Sequence, residues 1–191
     1  MPVTSAFTVD RQNGLLLPAR QVPSPNCDAR PPGMDSEIIV LHGISLPPGR
    51  FGGHEIEALF TNTLDWDAHP YFGEIRGLEV STHILIRRDA EVLQFVPLTR
   101  RAWHCGASFY RGRRRCNDFA IGIELEGEDE TPYTEPQYQV LAELIAVLRE
   151  AYPGIAGDAV VGHSDVAPGR KTDPGVAFDW GHLSQLLHRQ A

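Results

Sequence analysis

The chain has 191 residues, 42% of them hydrophobic, with a formal net charge of −8 at pH 7. That length fits one domain whose core needs no disulfide or metal staple, and the acidic balance excludes a general nucleic-acid binder, which needs a basic face for phosphates. No stretch approaches the roughly 20 apolar residues of a membrane span, MPVTSAFTVDRQNGLLLPAR lacks the pattern of a secretory signal, and Cys27, Cys105 and Cys116 have no CxxC spacing, which together predict a cytoplasmic protein with reduced cysteines.

Residues 18–35 carry five prolines, so residues 1–35 read as an irregular arm and residues 36–191 as the domain. EIIVLH, Glu37 to His42, is a short β-branched run of the buried-strand kind, stopped by LPPGRFGG. A helix is predicted from His54, with Ile56, Leu59 and Phe60 on one side. THILIRR and EVLQFV, separated by Asp89-Ala90, predict a hairpin. AIGIELEG, Ala120 to Gly127, places Ile121, Ile123 and Leu125 on one face of a strand and Glu124 on the other. An ionisable residue in a central strand requires a reason.

The best-marked helix runs from Thr134 to Tyr152, where TEPQ is a capping box with an early proline and Pro153-Gly154 supplies the stop. Its stripe of Tyr138, Leu141, Leu144, Ile145, Leu148 and Tyr152 is core. AVVGH is a last strand, and a final helix follows with Asp179 as its cap. Strands mixed with helices, without repeats or a linker, predict a single α/β domain: a mixed central β-sheet flanked by helices.

EIIVLH and AVVGH both end in histidine, and Asp173 lies ten residues beyond His163. Functional groups of open sheets gather at strand ends and the loops beyond, so His42 and His163 are able to converge. Two histidines with one carboxylate form a catalytic zinc set that leaves one tetrahedral position for water or substrate. Spacing alone is a weak signal, because the chain has eight histidines. His54, His69, His182 and His188 read as solvated or helix-face residues; His83 and His104 read equally as satisfied core imidazoles or as pocket residues.

The strings VLHGISLPPGRFGG, STHILIRRD, RAWHCGASFYRGRRRCNDFAIGIELEG, YTEPQY and GHSDVAPGRKTDPGVAFDW, in this order, closely resemble the AmpD-type 1,6-anhydro-N-acetylmuramyl-L-alanine amidases. These belong to the wider family of zinc N-acetylmuramoyl-L-alanine amidases, with phage amidase lysozymes and peptidoglycan recognition proteins. The resemblance runs from about Val22 to Trp180. It implies a mixed sheet flanked by helices and one zinc per chain, held by His42, His163 and Asp173.

The implied substrate is a small muropeptide, cut at the amide between the lactyl group of anhydro-N-acetylmuramic acid and L-alanine in cell-wall recycling. No nucleic acid, membrane or obligate protein partner is implied. The zinc would polarise the carbonyl and acidify a water molecule. By motif position Glu124 is the general base and Lys171, otherwise a solvated loop lysine, stabilises the oxyanion. Glu126 shares the face of Glu124 but stands nearer the strand end and reads as solvated. Arg115 matches a position that contacts a carboxylate of the peptide stem. Trp103 reads as a sugar-stacking residue or a core tryptophan, Ala167 as a source of backbone contacts to the peptide, and Asp165 as loop structure or a partner to the ligands. Arg111, Arg113 and Arg114 read as a solvated basic loop that attracts an anionic substrate.

Two positions depart from the family pattern. Gly43 stands where relatives commonly have asparagine, and Glu79 where relatives can have arginine. Two rival readings remain in view: an amidase acting on intact peptidoglycan, and a muropeptide-binding module without catalysis.

Overall fold

The computed structural model describes residues 5–190. Within the stretch 1–35 that reads as an irregular arm, the described residues 5–35 hold four short strands. Strands β1 (Thr8–Asp10) and β2 (Leu15–Leu17) form a hairpin. Next, β3 (Arg20–Gln21) joins the central sheet, and β4 (Cys27–Ala29) makes a ribbon with a later strand. Leu16 is completely buried in the main core. Prolines sit between these strands, where no ladder hydrogen bond is lost.

The apolar runs read from the sequence become the sheet: β5 (Ile38–Ile44), β6 (Ile84–Ile86), β7 (Val92–Gln94), then β8 (Arg100–Ala102), which pairs with β4. A small hairpin of β9 (Phe109–Tyr110) and β10 (Arg113–Arg114) precedes β11 (Ala120–Glu126), and β12 (Val160–Gly162) comes last. The central sheet has the order β12-β5-β11-β6-β7-β3. Only β6 and β7, the expected hairpin, run antiparallel to each other; the other pairs are parallel. The centre of the sheet is therefore β5 beside β11, both buried along almost their whole length, as parallel strands covered on two faces must be.

Alternation along the strands divides the core in two. Ile84 and Ile86 join Ile121, Ile123 and Leu125 under the stripe of α3 (Glu135–Ala151), while Leu85 and Leu93 face Ile56, Leu59 and Phe60 of α1 (Glu55–Phe60). A short α2 (Pro70–Glu74), unmarked by any apolar period, covers the same side as α1 and adds Phe72. Leu141, Leu144, Ile145 and Leu148 of α3 are fully buried, each contributing roughly 1.5–3 kcal/mol by transfer.

The capping box forms as read: Gln137 N donates to Thr134 Oγ1 at 3.3 Å and Thr134 N donates to Gln137 Oε1 at 3.0 Å. Gln137 Nε2 also donates to Ile86 O and Glu126 O, at 3.2 and 3.0 Å, tying the helix start to the strand ends. Two helices remain, α4 (His163–Val166) and α5 (Trp180–Gln190), the latter opened by Asp179, whose carboxylate accepts from His182 N at 2.8 Å. Among the described residues no helix is long and apolar enough to cross a membrane.

Candidate active site

The ends of β5, β11 and β12 bring the chemistry together. His42 lies in β5 and Glu124 is its Cα partner in β11. At the end of β12 the chain turns directly into α4, so His163 begins a helix at the sheet edge. Asp165, exposed, accepts from Gly162 N at 2.7 Å and thus caps this turn; it has no bond to His42, His163 or Asp173. The loop after α4 then returns Asp173 to the two histidines.

Three atoms converge: His42 Nδ1 and His163 Nδ1 lie 2.9 Å apart, and Asp173 Oδ2 is 3.2 Å from the first and 2.9 Å from the second. His163 Nε2 is 3.2 Å from Cys105 O, a group that only accepts, so Nε2 donates there and Nδ1 is the nitrogen turned toward Asp173. Burial lowers the His42 pKa to about 4 despite the neighbouring Asp173, so this ring is neutral. Burial would raise the Asp173 carboxyl, but its bonds to His163 and His42 hold it well below the ordinary carboxylate range.

Two imidazole nitrogens and one carboxylate oxygen that meet within 3.2 Å form a donor set suited to a cation. Tetrahedral zinc with bonds of 2.0–2.1 Å puts its donors roughly 3.3 Å apart, close to the spacing here. The residues present therefore fit zinc. A second set, His42, His104 and Cys105, also lies within 4.8 Å. Its thiol is a poor ligand, because burial pushes the Cys105 pKa well up, away from the thiolate that binds metals.

The histidines form the floor of a cavity of about 710 Å³, a volume suited to a small ligand. Glu124, Lys171, Asp173 and His104 also line it, with Tyr71 and Leu78 on an apolar wall. Glu124 is only 8% exposed, and its buried Oε2 has no hydrogen-bond partner among the described residues. Burial, with Asp173 adding to it and Lys171 opposing, holds its carboxyl well above the ordinary value. A carboxylate in this state is suited to accept a proton near neutral pH.

Glu126, expected to be solvated, is instead buried: its carboxylate accepts from Arg87 at 3.2 Å, Gly52 N at 2.6 Å and Arg88 N at 3.2 Å. The strand continues under the Gly52 loop, which covers its end. His83 is a core imidazole: Gly122 N donates to its Nδ1 at 3.0 Å, its Nε2 meets Arg100 O at 3.0 Å, and burial lowers its pKa to about 3. His104 is a cavity residue, its Nδ1 2.8 Å from His42 Nε2.

The three substrate residues read from the sequence lie apart from this floor. Trp103 is half-buried and Arg115 is exposed beside Asp118, at 3.3 Å; neither lines the cavity. Ala167 is buried, and its backbone is already used: its N–H donates to His163 O, and its carbonyl accepts from Arg170 N and Lys171 N. Those groups are closed to a peptide. Arg111 pairs with Asp158 and Arg113 with Glu37, so the basic loop is largely neutralised. Sequence reasoning missed Arg170, whose guanidinium donates to Cys105 O and Ala107 O and fixes the segment behind His163. It also missed Tyr133. Neither carries a motif signal beyond its place in GRKTDPG and YTEPQY.

The family model described as N-acetylmuramoyl-L-alanine amidase matches residues 32–176. The chain belongs to this family. Among curated amidases it is 57% identical over 176 residues to the 1,6-anhydro-N-acetylmuramyl-L-alanine amidase AmpD of Enterobacter cloacae, covering 92% of this chain and 94% of the relative. It is 55% identical over 179 residues to AmpD of Escherichia coli, covering 94% and 97%. A crystal structure of a Se-Met AmpD derivative superposes with a TM-score of 0.90 at 54% identity, covering 94% of this chain and 98% of that one. The amidase fold, a single domain of mixed sheet and flanking helices, is thus the one expected from the sequence.

Proposed function

We propose that this amidase hydrolyses, with zinc, the amide between anhydro-N-acetylmuramic acid and L-alanine in soluble muropeptides of the cytoplasm. The convergence of His42 Nδ1, His163 Nδ1 and Asp173 Oδ2 beside the unpartnered Glu124 carboxylate carries this reading. Its relatives at 55–57% identity are named for that bond. A further neighbour, the amidase AmiD of E. coli (TM-score 0.57, 27% identity), was solved with the substrate anhydro-N-acetylmuramic acid-L-Ala-D-gamma-Glu-L-Lys.

His42, His163 and Asp173 would hold the metal. When bound, zinc supplies Lewis-acid polarisation of the scissile carbonyl and a more acidic water. Glu124 takes the proton of the attacking water. Lys171, at the cavity rim, carries an ammonium that offsets the negative charge growing on the carbonyl oxygen. As the C–N bond breaks, Glu124 returns the proton to the alanine nitrogen, and the second water proton passes from the new lactyl carboxyl to the released amine, leaving a carboxylate and an ammonium. Glu124 itself is only 8% exposed, which limits its contact with bulk water. Arg115 and Trp103, outside the floor, are proposed to meet the distal parts of the substrate.

An amidase of intact peptidoglycan would use the same chemistry. Rates on polymeric peptidoglycan and on a soluble anhydro-muropeptide, measured side by side, separate the two. Faster cleavage of the soluble substrate is expected; faster cleavage of the polymer overturns the proposal.

A further inference from the structure

Tyr133 lies in a slot made by two glycines that follow charged or ligating residues of the sheet. Gly43 follows His42 and Gly127 follows Glu126. A Cβ on Gly43 would overlap the Tyr133 hydroxyl oxygen, and one on Gly127 would overlap the ring itself. The side chain is 6% exposed, its ring stacked edge-on with Phe178 at 5.5 Å, and its hydroxyl donates to Pro174 O at 2.9 Å. That carbonyl belongs to the residue directly after Asp173.

Pro174 is held on other sides as well. It approaches within 3.6 Å of where a Gly43 Cβ would stand and within 3.0 Å of where a Gly162 Cβ would stand. Gly43 follows the first histidine of the metal set and Gly162 precedes the second, so Pro174 is seated against both strand ends. Beyond it, Gly175, with φ of +87°, packs against the Asp129 backbone where any side chain would collide. Ala177 N then donates to Asp129 O at 2.8 Å, and Ser164 N to Asp173 O at 3.0 Å. Among these holds, the Tyr133 hydroxyl is the one made by a side chain.

We propose that Tyr133 is a positioning residue for Asp173: its hydroxyl fixes the Pro174 carbonyl and so sets where the Asp173 carboxylate meets His42 and His163. In this chain that hydroxyl occupies the volume a Cβ on residue 43 would need. The inference rests on Asp173 acting as a metal ligand. A tyrosine that merely filled the core would do its work through the ring alone, and removing the oxygen separates the two roles.

The test is zinc affinity by competition with a chromophoric chelator, together with thermal unfolding of the metal-free protein, for wild type, Tyr133→Phe, Gly43→Ala and the double variant. Tyr133→Phe keeps the ring in its slot. It is expected to weaken zinc binding about 10- to 100-fold, the range typical of outer contacts to metal ligands. Its metal-free midpoint should fall by only about 2–4 °C, as for one hydrogen bond. Gly43→Ala should weaken zinc binding in the wild type and add little once the hydroxyl is gone. Wild-type affinity in Tyr133→Phe overturns the inference while leaving the metal site intact, and that comparison stands even if Gly43→Ala does not fold. No zinc binding by the wild type overturns the metal site itself, and this inference with it.

Discussion

Glu124 and His42 are Cα partners across the parallel pair β11 and β5, so the carboxylate and the first histidine of the metal set leave the sheet at the same level. The basic loop does not take Glu124 as an ion-pair partner: Arg113 pairs with Glu37 and Arg115 with Asp118. Glu124→Gln keeps size and shape but cannot accept a proton. Turnover at saturating substrate should fall by roughly 10²- to 10⁴-fold with zinc content unchanged. Glu126→Gln should instead weaken the fold by about 1–3 kcal/mol in urea unfolding, through its bonds to Arg87 and two backbone amides, with turnover near normal. The opposite pattern would exchange the two roles.

Asp173→Ala should lose both zinc and activity while the metal-free protein stays folded, because a domain of this size builds its core without a metal. Metal analysis and far-UV circular dichroism of the purified variant check this. Cys116→Ser should keep its zinc: all three cysteines are free, and Cys116 belongs to neither candidate donor set. Full zinc content in Asp173→Ala would mean that the ligands have been misassigned.

His104 holds the far nitrogen of His42 at 2.8 Å, leaving Nδ1 free to bind a metal. Its replacement by alanine should raise the zinc dissociation constant about 10- to 100-fold. At zinc concentrations that saturate the variant, turnover should recover most of its value. Loss of turnover with unchanged zinc affinity would make His104 part of the reaction instead.

The ion network under the Gly52 loop predicts an acid-side loss of stability. The bond from Arg20 lowers Glu57 most, ahead of the opposing burial, and with help from Arg87 brings its pKa from 4.5 to about 2. The folded pKa is depressed, so the stabilisation is complete above about pH 4.5 and disappears as pH falls toward 2. Wild type should exceed Glu57→Gln by about 1–3 kcal/mol at neutral pH, with the gap closing across that window. A gap independent of pH would show that Glu57 stabilises by packing alone.

Much of the site was legible because its parts are strand ends. A β-branched run that stops at a histidine marks a sheet edge, and EIIVLH and AVVGH do end at one cavity. The Thr134 capping box and the Asp179 cap were legible because they are local. What was hidden depends on contacts distant in sequence. The buried state of Glu126 follows from a loop some 74 residues away that covers the strand end. The Ala167 backbone looked available, yet the turn of α4 consumes it. Prolines between residues 18 and 32 masked strands only two or three residues long, which pairing with distant partners stabilises. Tyr133 gave no sign, since its meaning lies in two glycines 90 and 6 positions earlier.

The most direct test of the central claim is mass spectrometry of the products from a defined anhydro-muropeptide, with zinc-loaded enzyme and with enzyme stripped by chelator. The zinc-loaded enzyme should release anhydro-N-acetylmuramic acid and the intact peptide with a free N-terminal alanine, the stripped enzyme neither, and added zinc should restore both. Cleavage at any other bond, or undiminished release by protein verified to be free of metal, would contradict the account.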